Sequence, residues 1–262
     1  GSQLTNLTSN SPFSYNTNNE GGIEIADYTT ASGSRAFAVG NDNLASGSSS
    51  TAMGRGTIAS GDDSTALGAN TEASGSASTA LGSETKAIGV SSTAMGYFTT
   101  ASGSYSTAMG DSTTASGSSS TAMGRDTEAS GYYSVAMGEY STASGDFSTA
   151  MGSDTEANGD ASTAMGYKTL ASNGPSFAIG YMTAATGAIS TSMGQHTFAS
   201  GELSTALGYY TKSSDRTSLV IGEYNLAGST VTNSATDFSL ENTAFVIGNG
   251  TNENNRSDAL TV

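Results

Sequence analysis

Side chains that could carry catalysis are scarce in this chain. His196 is the only histidine and there is no cysteine. Serine hydroxyls are abundant, but none stands in a nucleophile elbow or beside a basic partner that would activate it. Positions at multiples of fourteen residues from His196 hold Gly56, Asp154, Lys168 and Tyr210, which indicates a solvated turn rather than a general base. We therefore predict no catalytic residues and no enzymatic activity.

Acidic side chains are the other candidates for chemistry, as calcium ligands. A glycine-rich solenoid that binds calcium between its turns carries Asp in a fixed column of a nine-residue repeat. Here the acidic residues scatter over variable positions of a longer repeat: Asp62, Glu72, Glu84, Asp111, Asp126, Glu139 and Asp154. We interpret them as a solvated coat that keeps the protein soluble, and we predict neither a metal site nor a cofactor.

The charge balance argues against two classes of partner. Eight lysines and arginines stand against 23 aspartates and glutamates, for a formal net charge of −15. Phosphate binding needs clustered basic groups, so neither nucleic acid nor an anionic membrane surface is expected as a partner. The sequence has no apolar run long enough to cross a bilayer and no recognisable signal peptide, and Gly1-Ser2 has the form of a cloning remnant.

A fixed fourteen-residue period organises the chain. A glycine recurs every fourteen residues from Gly40 to Gly222, fourteen times without a miss, and an apolar residue precedes each one. From Gly54 the repeat is Gly-x-x-Thr-x-Ala-Ser-Gly-x-x-Ser-Thr-Ala-Met. A short fixed period is the signature of a solenoid, in which each repeat forms one coil stacked on the next. The polar, charged composition alone would indicate disorder, but a disordered chain has no reason to keep this register.

The first half of each coil is predicted to be a strand with two different faces. The five residues from Ser50 to Gly54 are strand-length, and side chains of a strand alternate between faces. Ser50 and Ala52 therefore share one face, and Thr51 and Met53 share the other. The Ser50 column is serine in thirteen consecutive copies and the Ala52 column is alanine in twelve of fourteen, which assigns this face to the coil interior.

The second half of each coil alternates in the same way, from Thr57 to Gly61. The Ala59 column is almost always alanine, whereas the Ile58 column also accepts Glu, Lys and Phe and must face water. We predict an all-β parallel solenoid with two short strands per coil around a narrow core of Ala, Ser and Thr. The glycines Gly54 and Gly61 suit corners that need positive φ or close backbone approach.

An unbroken apolar column follows the outer face of the first strand. Burial of one such side chain is worth about 1.5–3 kcal/mol, so fourteen in a row are not expected to stay exposed on a soluble monomer. The alternative is a core within one chain, but the Ala and Ser columns already fill the coil interior. We predict an oligomer packed through this column, whose members are Val39, Met53, Leu67, Leu81, Met95, Met109, Met123, Met137, Met151, Met165, Ile179, Met193, Leu207 and Ile221.

These residues resemble the YadA-like head of trimeric autotransporter adhesins, whose repeats follow a Ser-Val-Ala-Ile-Gly pattern. The most similar copy here is Ser134-Val135-Ala136-Met137-Gly138, followed after two residues by Ser141-Thr142-Ala143-Ser144-Gly145. The resemblance extends over roughly residues 22–248. It implies a left-handed parallel β-roll assembled as a homotrimer, with the apolar column at the trimer axis.

The resemblance also implies a function. The implied function is that of a non-enzymatic head segment of a bacterial surface adhesin. Such a segment is extracellular and is joined through a stalk to an outer-membrane anchor. Its partners would be two further copies of the chain and a protein or glycan receptor on a host or other surface. Met stands where the family usually has Val or Ile, which weakens transfer of a particular ligand such as the collagen that some members bind. Residues 244–251 and 255–262 also resemble the ends of such heads. Similar ends occur in phage tail fibres and other surface fibres, so a phage or injection-system fibre segment is the alternative.

Ice binding is a third candidate function, because a flat array of Thr side chains can order water. Thr57 and its equivalents fill eleven of fourteen copies, yet alternation places them inside with Ala59. The Thr51 column is interrupted by residues such as Phe37 and Phe177 and shares the face of the apolar column. Ice binding therefore ranks below the two fibre functions.

Aromatic residues concentrate at the turn positions. Exposed aromatic side chains favour contacts with proteins or sugars, which makes them candidates for ligand contact. The structural alternative is stacking between adjacent coils, as for Tyr133 and Phe147, which are one coil apart in the same column. The candidates are Tyr97, Phe98, Tyr105, Tyr132, Tyr133, Tyr140, Phe147, Tyr167, Tyr181, Tyr209 and Tyr210.

Four segments are predicted along the chain. Residues 1–21 are polar and form an irregular lead-in, and residues 22–228 hold the β-roll repeats. The spacing from Gly222 to Gly248 is 26, so the register breaks, and residues 229–242 are predicted to be an inserted loop or hairpin. Residues 243–262 are predicted to form a capping coil and a C-terminal strand, because a solenoid must cover its open strand edge.

Overall fold

The structure is a computed structural model that describes residues 13–15, 23–25, 28–226, 228 and 234–262. Throughout this part of the chain the regular secondary structure is β-strand, and it contains no helix that could span a membrane. Most of the predicted lead-in, residues 1–12 and 16–21, lies outside the described residues. The chain divides into two compact units, Gly1–Asp126 and Thr127–Val262, and each is a stack of fourteen-residue coils. The predicted all-β parallel solenoid is confirmed.

In the first unit each coil contributes one five-residue and one two-residue strand. The five-residue strands are Phe37–Asn41, Thr51–Arg55, Thr65–Ala69, Thr79–Ser83, Thr93–Tyr97, Thr107–Asp111 and Thr121–Arg125. The two-residue strands are Thr30–Ala31, Leu44–Ala45, Ile58–Ala59, Glu72–Ala73, Lys86–Ala87, Thr100–Ala101 and Thr114–Ala115. Before them, Phe13–Tyr15 pairs antiparallel with Ile23–Ile25, which then pairs in parallel with the first five-residue strand.

The second unit repeats this arrangement and ends in a different strand. Its five-residue strands are Val135–Glu139, Thr149–Ser153, Thr163–Tyr167, Phe177–Tyr181, Thr191–Gln195, Thr205–Tyr209, Leu219–Glu223 and Phe245–Asn249. Its two-residue strands are Glu128–Ala129, Thr142–Ala143, Glu156–Ala157, Leu170–Ala171, Ala184–Ala185, Phe198–Ala199 and Lys212–Ser213. The last strand, Asp258–Thr261, pairs antiparallel with Phe245–Asn249 and covers the edge of the parallel sheet.

The five-residue strands begin one residue later than the sequence pattern suggests. The strand predicted from Ser50 to Gly54 is Thr51–Arg55 in the structure. Ser50 still belongs to the preceding turn, because its backbone N–H donates to the carbonyl of Gly47 at 3.3 Å. Ladder pairing starts at Thr51, whose N–H donates to the carbonyl of Ser64 in the next coil at 2.8 Å.

Small side chains fill the interior of the coils, as the alternation predicts. Ser50, Ala52, Thr57 and Ala59 are completely buried, and so are nearly all of their equivalents. The Ile58 side chain on the opposite face is 40% exposed. Each coil therefore encloses a core only as wide as Ala, Ser and Thr allow, and larger side chains must stand on its outside.

The recurring glycines allow close packing between coils. Gly54 lies inside a strand with φ +130°, and a Cβ atom on it would stand 1.9 Å from the carbonyl oxygen of Gly68. A Cβ atom on Gly61 would stand 2.1 Å from the carbonyl oxygen of Gly75. The expectation of close backbone approach is confirmed for both. The corner expectation is wrong for Gly54, which lies in a strand, whereas Gly61 opens a turn in which its carbonyl accepts the N–H of Ser64 at 3.3 Å.

Left-handed residues two positions after each glycine lie at the corners. Asn70 has φ 53° and Asp63 has φ 55°, and most equivalents in the other coils are also residues other than glycine. The N–H of Asp63 donates to the carbonyl of Ser48 at 2.7 Å, and the N–H of Asn70 donates to the carbonyl of Arg55 at 2.8 Å. Hydrogen bonds between successive coils therefore offset the cost of the left-handed conformation.

The fourteen-residue register resumes after the interruption in the second unit. Leu219–Glu223 pairs in parallel with Phe245–Asn249, and Gly222 lies opposite Gly248. The 26-residue spacing is thus one coil with an insertion, of which residues 229–233 lie outside the described residues. Asp215 replaces the second glycine in the coil before the insertion, is 1% exposed, and accepts the N–H of Thr243 at 3.0 Å.

Candidate assembly and ligand surfaces

The apolar column of the first unit faces outward from the five-residue strands. Its members pair in parallel register, as Met95 does with Met109 and Met109 with Met123. Met53 is 39% exposed, and the other six members are half-buried. The column is Val39, Met53, Leu67, Leu81, Met95, Met109 and Met123. The structure therefore brings all seven predicted residues of this unit onto one face.

The second unit carries the same column on its own five-residue strands. Met193 is 39% exposed and the other six members are half-buried. The members are Met137, Met151, Met165, Ile179, Met193, Leu207 and Ile221. The Thr column two residues earlier shares this face, and there Phe177 and Leu219 are each 37% exposed. Each unit thus presents an apolar strip two columns wide, of the kind that marks an association surface.

One group of aromatic rings stands at the corner that follows the second glycine of the coil. Tyr133 and Phe147 stack with ring centroids 5.4 Å apart and planes 13° from parallel, which confirms the predicted stacking between coils. Tyr132 meets both rings edge-on. All three remain exposed, so the cluster combines mutual packing with an open apolar surface. The side-chain hydrogen bond with Tyr133 raises the pKa of Tyr132.

A longer series of rings, the aromatic ladder, lies along the other corner of the coils in the second unit, the corner that follows the first glycine. It consists of Tyr167, Tyr181, His196, Tyr210 and Tyr224, one ring from each of five successive coils. Three contacts are stacked, with centroid distances between 4.3 and 5.1 Å, and Tyr181 meets His196 edge-on at 5.7 Å. The ring faces are largely occupied by one another, which favours a structural role for the ladder.

Cationic groups flank both ends of the aromatic ladder. Lys168 Nζ lies 5.5 Å from the ring centroid of Tyr167, and the guanidinium of Arg256 lies 5.5 Å from that of Tyr224. Arg256 also donates to the carbonyl oxygen of Tyr210 at 3.0 Å, which ties the C-terminal segment to the ladder. A hydrogen bond with Tyr209, together with burial, raises the pKa of Tyr224 to about 12.

The sequence pattern did not predict the ring contacts of two members of the ladder. His196 was expected to be a solvated turn; it does lie at a turn, with φ 54°, but its half-buried ring stacks on Tyr210 at 4.3 Å. Tyr224 was not among the candidates, although it follows Tyr210 by fourteen residues and is 7% exposed. The fourteen-residue spacing of His196, Tyr210 and Tyr224 was the signal that could have found both.

Further aromatic candidates belong to neither of these two groups. Tyr97 and Phe98 meet edge-on at 4.3 Å in the first unit, and both are about half exposed. Tyr105 is 66% exposed in the same unit, and Tyr140 is 53% exposed in the second. The structure therefore does not gather the aromatic candidates into one site; they form separate groups along the coils.

Some acidic side chains link coils, beyond the solvated coat predicted for them. Asp62 Oδ1 accepts the backbone N–H of Ser48 at 2.8 Å, one coil earlier. Asp146 accepts the N–H of Tyr132 at 2.9 Å, and Asp160 accepts that of Asp146 at 3.1 Å. Within the described ranges, no three His, Asp or Glu side chains come together in a group that could hold a metal ion.

Comparison with known proteins identifies the family. The chain matches the family model of the YadA head domain repeat (two copies) over residues 31–57, 59–85, 87–113, 101–127, 115–141, 129–155, 143–169, 157–181 and 199–222. A comparison with curated proteins finds no match. The matched ranges cover more than half of the chain and coincide with the coils that carry the outward apolar column. The chain therefore belongs to the YadA head family.

Proposed function

We propose that this chain is the head segment of a trimeric bacterial surface adhesin, and that it mediates adhesion outside the cell without a catalytic step. The observation that carries the proposal is the apolar column, which faces outward in both units of a YadA head chain. Three copies packed through this column would bury it at a common axis. The exposed corners would then face outward, where a receptor can reach them.

The energetics of the column support assembly. Complete burial of one Met, Leu or Ile side chain is worth about 1.5–3 kcal/mol, and half-buried members retain roughly half of that for association. Association itself costs on the order of 4–15 kcal/mol in lost translational and rotational freedom. A column of seven side chains on each of two units offsets a cost of this size, whereas one or two exposed Met side chains would not.

The proposed mechanism of adhesion is multivalent. Three identical chains would present every exposed corner three times, including the cluster of Tyr132, Tyr133 and Phe147. Linked weak contacts raise avidity by about 10²–10⁴ over a single contact when the geometry allows them to bind together. A protein or glycan receptor on a host or other surface is the partner that such a display suits.

The same surfaces bear on the two other candidate functions, ice binding and a phage or injection-system fibre. The Thr57 column is fully buried, so the regular Thr array that ice binding would need is not on the outside of the coils. A phage or injection-system fibre segment would use the same coils and the same apolar column. The two fibre functions predict different neighbouring segments, because an adhesin head continues into a coiled-coil stalk and a membrane anchor.

A binding array tests the proposal. The wild-type chain and the double variant Met109→Asp/Met123→Asp are applied to arrayed glycans and matrix proteins at equal chain concentration. We expect the wild type to bind at least one target, and the variant to lose that binding by about 100-fold or more as avidity is lost. Equal binding by a dissociated but folded variant would contradict the multivalent mechanism, and wild-type binding to no target would contradict adhesion.

A further inference from the structure

The exposed cluster of Tyr132, Tyr133 and Phe147 leaves one ring face open. Tyr133 covers one side of Phe147 in an offset, nearly parallel stack, with ring centroids 5.4 Å apart. In the next coil the same column holds Ala161, which has only a methyl group to place over the other side. Phe147 is accordingly the most exposed ring of the cluster, at 61%, against 49% for Tyr133. The stack therefore ends on an apolar face that solvent reaches.

Two carboxylates lie next to the open face in the chain. Asp146 immediately precedes Phe147, and Asp160 immediately precedes Ala161. Oδ1 of Asp146 accepts the backbone N–H of Tyr132 at 2.9 Å, and Oδ1 of Asp160 accepts that of Asp146 at 3.1 Å. Among the described residues neither Oδ2 has a hydrogen-bond partner, and both side chains are exposed. Each carboxylate is thus held in place through one oxygen and offers the other to a ligand.

An open ring face and oriented acceptors are the groups that a sugar ring needs. One face of a pyranose consists of C–H groups, which pack on the negative face of an aromatic ring, and its hydroxyl groups donate to carboxylates. Carbon atoms in contact lie about 3.5–4.0 Å apart and successive coils about 4.8 Å, so a pyranose on Phe147 would lie level with Ala161 and Asp160. We propose that this corner binds a neutral pyranose of a glycan, with Phe147 as the platform and Asp146 and Asp160 as hydroxyl acceptors.

Charge and size favour a neutral sugar over other ligands. The two carboxylates and the net charge of −15 repel sialylated or sulfated glycans. Three half-exposed aromatic rings offer roughly 200–400 Å² of apolar surface, whereas a stable protein interface buries about 800 Å² on each partner. A surface of this extent suits a sugar ring better than the face of a protein.

The ring face and the oriented carboxylate occur separately elsewhere in the chain. Asp62 makes the same bond to a backbone N–H one coil earlier, but the residue that follows it is Asp63. Tyr105 presents an exposed ring in the column of Phe147, but the residue that precedes it is Ser104. At Phe147 both features coincide, and the proposal rests on their combination.

This site names the ligand class of the proposed adhesin head, and the inference rests on that function. A single platform binds a sugar weakly, whereas three copies in a trimer would raise the avidity by about 10²–10⁴. The site itself is complete within one chain and uses no residue of the apolar column.

Binding to neutral disaccharides tests the inference. Lactose, maltose, cellobiose and chitobiose are displayed on one array beside 3′-sialyllactose and matrix proteins, and the full chain is applied. We expect binding to at least one neutral disaccharide, and weaker binding to 3′-sialyllactose. Phe147→Ser removes the platform and should weaken binding by about 10-fold or more. The same column already holds Ser119 with φ 57°, so circular dichroism should show a folded chain.

Three further variants locate the sugar on the ring. Ala161→Tyr places a ring over the open face, as Tyr133 does on the other side, so binding should fall by about 10-fold although an exposed ring has been added. Asp160→Asn keeps Oδ1 for the backbone N–H but removes the charged acceptor, and should weaken binding about threefold or more. Ile189→Ser removes an exposed apolar side chain from the same column and should leave binding unchanged.

The outcomes separate this inference from the proposed function. Binding to matrix proteins but to none of the neutral disaccharides overturns the sugar site and leaves adhesion standing. A Phe147→Ser or Ala161→Tyr chain that binds the disaccharide as tightly as the wild type also overturns it. Binding to neither class of target contradicts adhesion itself. Light scattering on the same samples reports the oligomeric state independently of the ligand.

Discussion

The carbonyl oxygen of Gly124 lies 1.9 Å from the point where a Cβ atom on Gly110 would stand. Gly110 also has φ +127°, a conformation that residues with a side chain rarely adopt. The two residues are partners in the ladder between successive coils. The recurring glycine is therefore a spacing residue, since it lets neighbouring strands approach where no side chain fits.

Gly110→Ala is expected to destabilise the chain strongly. The new methyl group meets backbone, which cannot move aside without breaking the ladder, and we expect a loss of about 3 kcal/mol or more in unfolding free energy. Gly174→Ala is the matched control, because no atom lies within 4 Å of its Cβ position and φ is +28°. The control should cost about 1 kcal/mol. Urea denaturation measures both, and equal losses would contradict the spacing role.

Charge in the apolar column is expected to disrupt the assembly. Met109→Asp with Met123→Asp places two carboxylates where association would bury them unpaired, and a buried unpaired charge is costly. We expect the double variant to dissociate or unfold, as measured by light scattering and circular dichroism. Glu128→Lys, at the exposed position of a two-residue strand, should change stability by less than about 0.5 kcal/mol. A double variant with unchanged mass and stability would rule out a buried column.

Removal of the central ring is expected to weaken the aromatic ladder. His196 contacts Tyr181 on one side and Tyr210 on the other, so His196→Ala breaks two ring contacts. We expect a loss of about 1–3 kcal/mol, since each such contact contributes roughly 0.5–1.5 kcal/mol. Gln195→Ala, at the exposed neighbouring position, should be nearly silent. Thermal unfolding of both variants measures the difference, and a silent His196→Ala would argue against a structural role.

Stability is expected to fall between about pH 10 and pH 12. Tyr224 has its pKa raised from 10.0 to about 12 in the folded chain, chiefly by the hydrogen bond with Tyr209. Below pH 10 the phenol is protonated in both the folded and the unfolded state. As pH rises further, the unfolded chain releases this proton first, so the contribution of Tyr224 to stability is lost across the window.

Tyr224→Phe tests that pH dependence. The phenylalanine variant should show a shallower fall of the melting temperature across the window, because it has no phenol to ionise. The tyrosinate absorbance of the wild type should also include a component near pH 12 that the variant lacks. Identical pH profiles for the two proteins would contradict the raised pKa of Tyr224.

Much of the fold follows from local rules of strand alternation. The burial of Ser50 and Ala52 and the exposure of Met53 are set by a period of two within a period of fourteen, and both are visible in the sequence. The corners were not predictable in this way. Asp63 adopts a left-handed conformation because its N–H bonds to the preceding coil, and that partner is fifteen residues away. No shared residue type marks the position, since its equivalents include Ser49, Ala77 and Tyr133.

The two candidate surfaces also differ in how far the sequence predicts them. The members of the apolar column could be predicted, because a single fixed position in the repeat defines them. The aromatic ladder could not be predicted in full, since it draws Tyr181 and His196 from adjacent positions of the repeat and ends on Arg256 from the C-terminal segment. Contacts that cross columns depend on how the corner orients each ring, and periodicity carries no such information.

The mass of the chain in solution tests the proposed trimer most directly. Size-exclusion chromatography with light scattering, at micromolar chain concentration, should give 78 kDa, three times the 26.0 kDa of one chain. The Met109→Asp/Met123→Asp variant, run beside it, should lose that species. A wild-type mass of 26.0 kDa would contradict the assembly, because the outward column of Met, Leu and Ile side chains would then be stable in water without a partner.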